Sequence, residues 1–328
     1  MKLKIVLLIF FIPFIVNAQS QKIKAFIDKT IEIMKENSVN SKNVDWPALT
    51  EQAYKLAENA RSPEDLGNSM RFLMKSLGDF HGRVRHKDSL FQWEKEKFDW
   101  NKIPGQLEYR AALKRKDNRF FTKLFDNIGY LRIPTTDQEI AKERSKALRD
   151  SLCKVLSTNP KGMIIDLRLN GGGHVFSMLM GISNILEYGL TSSDEEIRAD
   201  GFYRKSENIF PFKETCPRNH LNIPVAVITG PLTGSSAEGL AIILKNRPNT
   251  ILIGEPTAGW VSSVNGFKID GNSGINLSVD YMKDVKGNVY KDKIQPDILV
   301  EGGDKFDNLV EDTKIIRAIE WLREYKVR

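Results

Sequence analysis

The sequence predicts a mixed α/β fold, in which helices flank a parallel sheet. Residues 128–133, 162–167 and 224–229 form short apolar runs, which is typical of strands that are buried on both faces. Each run is followed by a segment with helical spacing of its apolar residues. Strands that alternate with helices in this way form parallel sheets with right-handed crossovers.

The N-terminal part predicts helices. Apolar residues recur at helical spacing over residues 21–36, and Ser62 and Pro63 are a favoured N-cap and first-turn pair for another helix over residues 62–77. Later segments predict strands over residues 261–282, an insertion over residues 190–222 and a terminal helix over residues 312–323. We therefore predict three parts of the mature chain: a helical subdomain (19–87), a connecting segment of one or two hairpins (88–127) and a core (128–328).

Residues 1–18 are predicted to be a secretory signal peptide. Lys2 and Lys4 precede an apolar run over residues 5–16, and small residues follow at the expected cleavage site. The run is short for a membrane span, so we expect an exported, periplasmic or extracellular protein with no stable span after cleavage. The net charge of +7 becomes +5 without the two lysines, and this scattered excess does not predict a nucleic-acid partner.

Cofactor and metal chemistry have little support in the sequence. The chain has two cysteines, Cys153 and Cys216, which are too far apart for a cysteine-based metal site and which could pair in an exported protein. The four histidines lack the spacing of metal ligands, and neither a dinucleotide fingerprint nor a P-loop is present. We therefore predict no cofactor and no metal, while the oligomeric state stays open.

A serine lies where the strand at residues 224–229 turns into a helix. Glycine and proline residues break that strand, and Ser235 and Ser236 then precede a run of small and apolar residues. A hydroxyl beside the N–H groups of a helix N-terminus is well placed to act as a nucleophile. The alternative is that Ser235 is an ordinary N-cap, and the two roles can coexist.

Two further features supply what a hydroxyl nucleophile needs. Three consecutive glycines, Gly171 to Gly173, follow the strand at residues 162–167, and they let backbone N–H groups approach a ligand, as in an oxyanion hole. His81 lies in a turn between glycines, where it could act as a general base, although many loop histidines have no such role. Together these features predict acyl-transfer chemistry.

A series of motifs resembles serine peptidase family S41, the tail-specific or C-terminal-processing peptidases. In chain order they are LGDFHGRV, IGYLRIP, DLRLNGGGH, TGPLTGSSAEGLAIILKN, LIGEPTAG and IQPDILV, and the resemblance covers roughly residues 45–300. The resemblance implies an α/β core similar to the ClpP/crotonase spiral, together with an N-terminal helical subdomain. It also implies that the substrate is a peptide or a protein.

The resemblance further implies roles for particular residues. Ser235 corresponds to the nucleophile, and Gly172 and the backbone N–H of Ser236 correspond to the oxyanion donors. One branch of the family uses a lysine where this chain has Trp260. The other branch, similar to tricorn protease and the retinoid-binding repeats, uses a histidine from the N-terminal part, and His81 matches that position.

The chain departs from the family in two ways. Residues 88–127 look too short for the PDZ domain that processing peptidases usually carry. Tyr290 stands where the second branch has the acid that orients its histidine, so we predict Asp292 for that role, with Asp284 as the alternative. A triad that lacks its acid still catalyses, but more weakly.

The sequence therefore predicts an exported serine endopeptidase that acts on unstructured or C-terminal peptide segments. The alternative is a binding module of the same fold with a weak or inactive site, which would hold a peptide or an apolar ligand. Trp260 and the displaced acid favour that alternative. A crotonase-like acyl hydrolase is a third reading, although no coenzyme A pocket is recognisable in the sequence.

Overall fold

A computed structural model of the chain describes residues 12–95, 99–115, 120–136, 139–186, 220, 222–284 and 286–325. The helices of these residues are α1 (Ile12–Asn37), α2 (Trp46–Leu56), α3 (Gly67–Ser76), α4 (Gln106–Lys114), α5 (Ala141–Leu156), α6 (Val175–Gly181), α7 (Ser236–Asn246) and α8 (Thr313–Glu324). The strands are β1 (Arg83–His86), β2 (Ser89–Phe91), β3 (Phe121–Phe125), β4 (Ile128–Arg132), β5 (Gly162–Asp166), β6 (Val225–Thr229), β7 (Thr250–Gly254), β8 (Ser262–Lys268), β9 (Ser273–Tyr281) and β10 (Ile298–Leu299).

The chain divides into two compact units. Unit 1 comprises Met1–Phe98 and Ser262–Asp280, and unit 2 comprises Asp99–Val261 and Tyr281–Arg328. Unit 1 thus contains the predicted helical part together with a segment from much later in the chain. The first 11 residues of the predicted signal peptide lie outside the described residues.

Unit 1 combines helices with a small sheet. The sheet has the order β2-β1-β9-β8, and β1 is antiparallel to both β2 and β9. A 3₁₀ turn (Pro63–Leu66) with a capping box between Ser62 and Asp65 leads into α3, so the helix predicted from Ser62 is confirmed with a tighter first turn. Apolar side chains of helices and sheet share one core, which includes Ile27, Met34, Met70, Leu73, Val84 and Leu277.

Unit 2 is a sheet with helices on both faces. The sheet order is β10-β7-β6-β5-β4-β3, in which β3 is antiparallel to β4 and the other pairs are parallel. Met163 and Ile165 pack into a core with residues of α5, α6 and α7. Ile164, which points the other way, packs into a second core with α8. The predicted parallel α/β core is confirmed.

The connecting segment contains more structure than the sequence predicted. One hairpin lies at each of its ends, because β2 pairs with β1, which precedes the segment, and β3 pairs with β4, which follows it. Helix α4 was not predicted. It packs through Tyr109, whose ring lies 5.0 Å from that of Phe306, and this partner, about two hundred residues further on, leaves little local signal for a helix.

Some predictions fall on residues that the structure does not describe. Most of the predicted insertion over residues 190–222 lies outside the described residues, and so does Cys216. Cys153, the other cysteine, is disulfide-bonded. Across the described helices, none is both long and apolar enough to cross a membrane.

A buried ionic cluster joins the end of β5 to the start of α8. Arg168 is fully buried and contacts Asp166 at 2.7 Å, Asp304 at 2.6 Å and Asp312 at 2.8 Å. Asp312 is also the N-cap of α8, since its carboxylate accepts from the N–H of Lys314. Charges that are removed from water need such partners, because an unpaired buried ion is very costly.

We predict that Arg168→Met lowers the free energy of unfolding by about 3–5 kcal/mol, because three buried carboxylates lose their shared cation. Chemical denaturation measures this change. The matched control is Arg323→Ala, which removes an exposed pair with Asp126 and should change stability by at most about 1 kcal/mol. Equal losses in the two variants would contradict the prediction.

Candidate active site

The turn between β6 and α7 in unit 2 holds Ser235 in a strained conformation. Its φ is +52° and its ψ is −121°. For a residue with a Cβ atom, such a backbone conformation costs on the order of 1–3 kcal/mol. A sharp, strained turn from strand to helix is also the geometry that exposes the nucleophile in hydrolases. Ser235 also occupies the N-cap position of α7, as the alternative considered from the sequence expects, and its role as a nucleophile stays a prediction.

Glu238, in the first turn of α7, stabilises this conformation. Its side chain is fully buried, and Oε2 accepts from the Ser235 N–H at 2.8 Å. Oε1 accepts from the Gly259 N–H at 2.7 Å and from the Thr257 hydroxyl at 2.5 Å. Burial raises the pKa of Glu238 to about 7, although these hydrogen bonds favour the ionised form. The SSAE motif contains Glu238, but the sequence alone gave it no role.

The triple-glycine loop lies directly against the Ser235 turn. A Cβ atom built on Gly172 would lie 2.8 Å from the Cβ of Ser235, and the φ of Gly172 is +111°. The Ser236 hydroxyl donates to the Gly173 carbonyl at 2.6 Å, and the Gly234 N–H donates to the Asn170 carbonyl at 3.0 Å. The fold therefore brings Ser235, Ser236 and Gly172 together, as a shared site requires.

The N–H groups of this loop differ in their availability. The Gly172 N–H donates to Asn170 Oδ1 at 2.9 Å, and the Gly171 N–H donates to Thr135 Oγ1 at 2.9 Å. The N–H groups of Gly173 and Ser236 have no hydrogen-bond partner among the described residues. An oxyanion at Gly172 would have to share that N–H with Asn170. Gly173, which the sequence indicated only as part of the triple glycine, has an N–H that no described residue shares.

His81 lies in unit 1, between α3 and β1, at the end of a chain of hydroxyl groups. Its Nδ1 is 2.9 Å from Ser262 Oγ, and Ser262 Oγ is 2.8 Å from Ser278 Oγ. The Ser278 hydroxyl in turn donates to Asp79 Oδ1 at 2.8 Å. Burial lowers the pKa of His81 to about 4, while the charge of Asp79 acts in the opposite direction. The imidazole is therefore neutral at pH 7, which is the form that a general base needs.

The predicted orienting acids have other contacts within unit 2. Asp292 is exposed, and its Oδ1 accepts from the Lys293 N–H at 2.8 Å. Asp284 accepts from groups of its own turn, among them the Asn288 N–H at 2.9 Å and the Tyr290 hydroxyl at 3.2 Å. The hydroxyl that lies next to His81 Nδ1 belongs to Ser262, which is part of none of the sequence motifs described above. The role of Asp292 stays a prediction.

Trp260 stands where one branch of the family has its lysine. Its side chain is 40% exposed, and its ring lies 3.7 Å from a Cβ atom built on Gly234, the residue before Ser235. An indole cannot accept a proton from a hydroxyl. Trp260 therefore cannot serve as a general base at this position, as the lysine of that branch does.

We predict that Gly172→Ala destabilises the protein and abolishes any activity of Ser235. The added methyl group would collide with Ser235 and with the Gly234 carbonyl, and the positive φ is strained for alanine. The matched control is Gly171→Ala, since among the described residues a Cβ there meets only Thr135 Oγ1 at 3.6 Å. Thermal unfolding and active-site labelling measure both variants, and equal tolerance of the two would contradict the prediction.

We predict that the stability of the wild type relative to Glu238→Gln falls as the pH rises. The pKa of Glu238 lies above the ordinary value of 4.5, at about 7, so the protonated form is favoured in the folded state and its contribution is lost as the pH rises through that interval. The difference in unfolding free energy should decline by up to about 3 kcal/mol between pH 4 and pH 8. If the unfolding free energies of the wild type and of Glu238→Gln changed with pH in parallel, the prediction would be contradicted.

Comparisons with known proteins identify the family to which the chain is related. The profile of peptidase family S41 matches residues 127–300, a little over half of the chain. The nisin-resistance protein of Lactococcus lactis is 24% identical over 91% of this chain and 86% of its own length. The carboxy-terminal processing protease CtpA of Bacillus subtilis is 28% identical over 177 residues. The matched part is 54% of this chain and 35% of that protein.

A solved structure extends the likeness to the whole fold. The structure of a lipoprotein from Streptococcus agalactiae covers 98% of this chain and 99% of its own, with a TM-score of 0.65 and 18% identity. The α/β fold with a helical N-terminal part, predicted from the sequence, is therefore confirmed. The chain belongs to peptidase family S41 and is a serine-type peptidase.

Proposed function

We propose that this protein is an exported serine endopeptidase that hydrolyses peptide bonds in unstructured or C-terminal segments. The strained Ser235 turn is the observation that carries the proposal, because its backbone conformation is costly and Glu238 and Gly172 are arranged to support it. An ordinary N-cap serine needs no such conformation, since N-caps adopt extended backbone angles.

In the proposed reaction Ser235 is the nucleophile and His81 is the general base. The Ser235 hydroxyl attacks the peptide carbonyl carbon, and its proton passes to Nε2 of His81. The resulting imidazolium then protonates the leaving amine as the peptide bond breaks, which gives an acyl-enzyme and a neutral imidazole. Water, activated by the same imidazole, hydrolyses the acyl-enzyme and restores the Ser235 hydroxyl. Ser235 and His81 belong to different units, so their pairing is part of the proposal.

Backbone N–H groups stabilise the tetrahedral intermediate. The Ser236 N–H is one donor in the proposal, and it has no competing partner among the described residues. Gly172 is the predicted second donor, although its N–H contacts Asn170, and Gly173 is the adjacent alternative. Removal of a single oxyanion donor typically reduces kcat by about 10²–10³, so the glycine that supplies the second donor matters for the rate.

A narrower substrate class is favoured by one relative. The protein that matches over 91% of the chain is named a nisin-resistance protein, and nisin is a peptide. A short peptide of that kind is therefore a candidate substrate beside the tails of proteins. Incubation of the enzyme with nisin and with an unstructured peptide, followed by mass spectrometry, distinguishes the two by the products that appear.

We predict that a fluorophosphonate probe labels the wild-type protein and that Ser235→Ala and His81→Ala abolish the labelling. The matched control is Ser62→Ala, because Ser62 is also an N-cap serine with a capping box. Loss of that cap costs about 1 kcal/mol of stability but should leave labelling unchanged. Labelling that persists in Ser235→Ala, or no labelling of the wild type between about pH 6 and pH 9, where the imidazole is neutral, would contradict the proposal and favour a binding module.

A further inference from the structure

We propose that Asp79 is the acidic group behind His81, and that it acts as a positioning residue through the hydroxyls of Ser278 and Ser262. The inference deepens the proposed function, on which it rests, by naming what orients its base. We call the hydrogen bonds that join Asp79, Ser278, Ser262 and His81 the relay, and all of these residues belong to unit 1. The carboxylate is only 3% exposed, and it precedes the imidazole by two residues.

Asp79 is an acceptor toward every described hydrogen-bond partner. Oδ1 accepts from the Gly82 N–H at 2.7 Å, from the His81 N–H at 3.2 Å and from the Ser278 hydroxyl at 2.8 Å. Oδ2 accepts from the Ser278 N–H at 2.8 Å. Backbone N–H groups can only donate, so both oxygens of Asp79 are acceptors. Asp79 is therefore the final acceptor of the relay.

The direction of each hydrogen bond then follows from the number of hydrogens. A serine hydroxyl has one hydrogen, and Ser278 uses it on Asp79. Ser278 must therefore accept from the Ser262 hydroxyl, which is 2.8 Å away. Ser262 has then used its own hydrogen, so it must accept from His81 Nδ1 at 2.9 Å. Nδ1 consequently carries the proton.

The relay thus determines which nitrogen of His81 is basic. In a neutral imidazole one nitrogen donates and the other accepts, so a proton at Nδ1 leaves the lone pair on Nε2. Nε2 is the atom that accepts the serine proton in a hydrolytic triad. The wrong tautomer removes most of the activity of such enzymes even when the geometry is intact.

Ser278 is the cleanest place to interrupt the relay. Ser278→Ala removes the hydroxyl but retains the backbone N–H that contacts Asp79 Oδ2, so the turn before β1 keeps its anchor. The matched control is Ser273→Ala, on the same strand. It removes a hydroxyl that lies 2.6 Å from Nδ1 of His86, a histidine that has no part in the proposed reaction.

The first test determines the tautomer of His81 without a substrate. Two-bond ¹H–¹⁵N spectra at pH 7 separate protonated from unprotonated imidazole nitrogens, and comparison with His81→Ala assigns the signals among the four histidines. We expect Nδ1 protonated in the wild type and in Ser273→Ala, and a mixture of tautomers in Ser278→Ala and Ser262→Ala. A wild-type His81 that is protonated at Nε2 would overturn the inference.

The second test measures hydrolysis of an unstructured peptide. We expect kcat to fall about ten- to a hundredfold in Ser278→Ala and Ser262→Ala, by analogy with the loss of a group that orients a metal-bound histidine, with KM unchanged and Ser273→Ala equal to the wild type. A kcat in Ser278→Ala equal to that in Ser273→Ala would overturn the inference. If the wild type does not react with the fluorophosphonate probe, the proposed function fails, whereas the tautomer still decides the relay.

Discussion

A residue with a Cβ atom adopts a positive φ where β6 passes into α7, and the surroundings of this turn in unit 2 are arranged to keep it there. The strain at Ser235 persists only if other contacts outweigh it. Glu238 supplies one such contact by accepting the Ser235 N–H. Gly172 supplies the space, since any larger residue would occupy the volume of the Ser235 side chain. The turn therefore depends on the loop after β5, and neighbouring parallel strands place that loop beside it.

Two buried carboxyl groups, one in each unit, accept hydrogen bonds from backbone N–H groups and from a hydroxyl, and they serve different purposes. Glu238 joins the Ser235 turn to Thr257 and Gly259, and burial raises its pKa to about 7 because the ionised form loses its contact with water. Asp79 anchors the backbone around His81 and ends a chain of two hydroxyls. The first carboxyl fixes a backbone conformation, whereas the second sets the direction of a hydrogen-bond chain.

The sequence predicted those features that depend on local pattern. The apolar strands, the break at Gly234 and the triple glycine each carry a physical requirement that a reader of the sequence can recognise. The orienting group could not be found in that way. Ser262 and Ser278 lie on β8 and β9, where polar and apolar residues alternate and a serine carries no particular signal. The pairing of β9 with β1 is what brings Ser278 beside Asp79. Helix α4 was missed for a similar reason, because its packing partner Phe306 is distant in sequence.

A relay of neutral hydroxyls differs from a direct carboxylate in its effect on the base. A carboxylate that contacts an imidazole directly favours the charged form and raises its pKa. Two intervening serines keep Asp79 at a distance, so burial dominates and the pKa of His81 falls to about 4. Orientation and basicity are thereby separated, since the hydroxyls set the tautomer while burial keeps the ring neutral. A chain with Trp260 in place of a lysine has only a histidine to serve as its base in the proposed mechanism, and an imidazole that stays neutral well below pH 7 remains competent over a wide range of acidity.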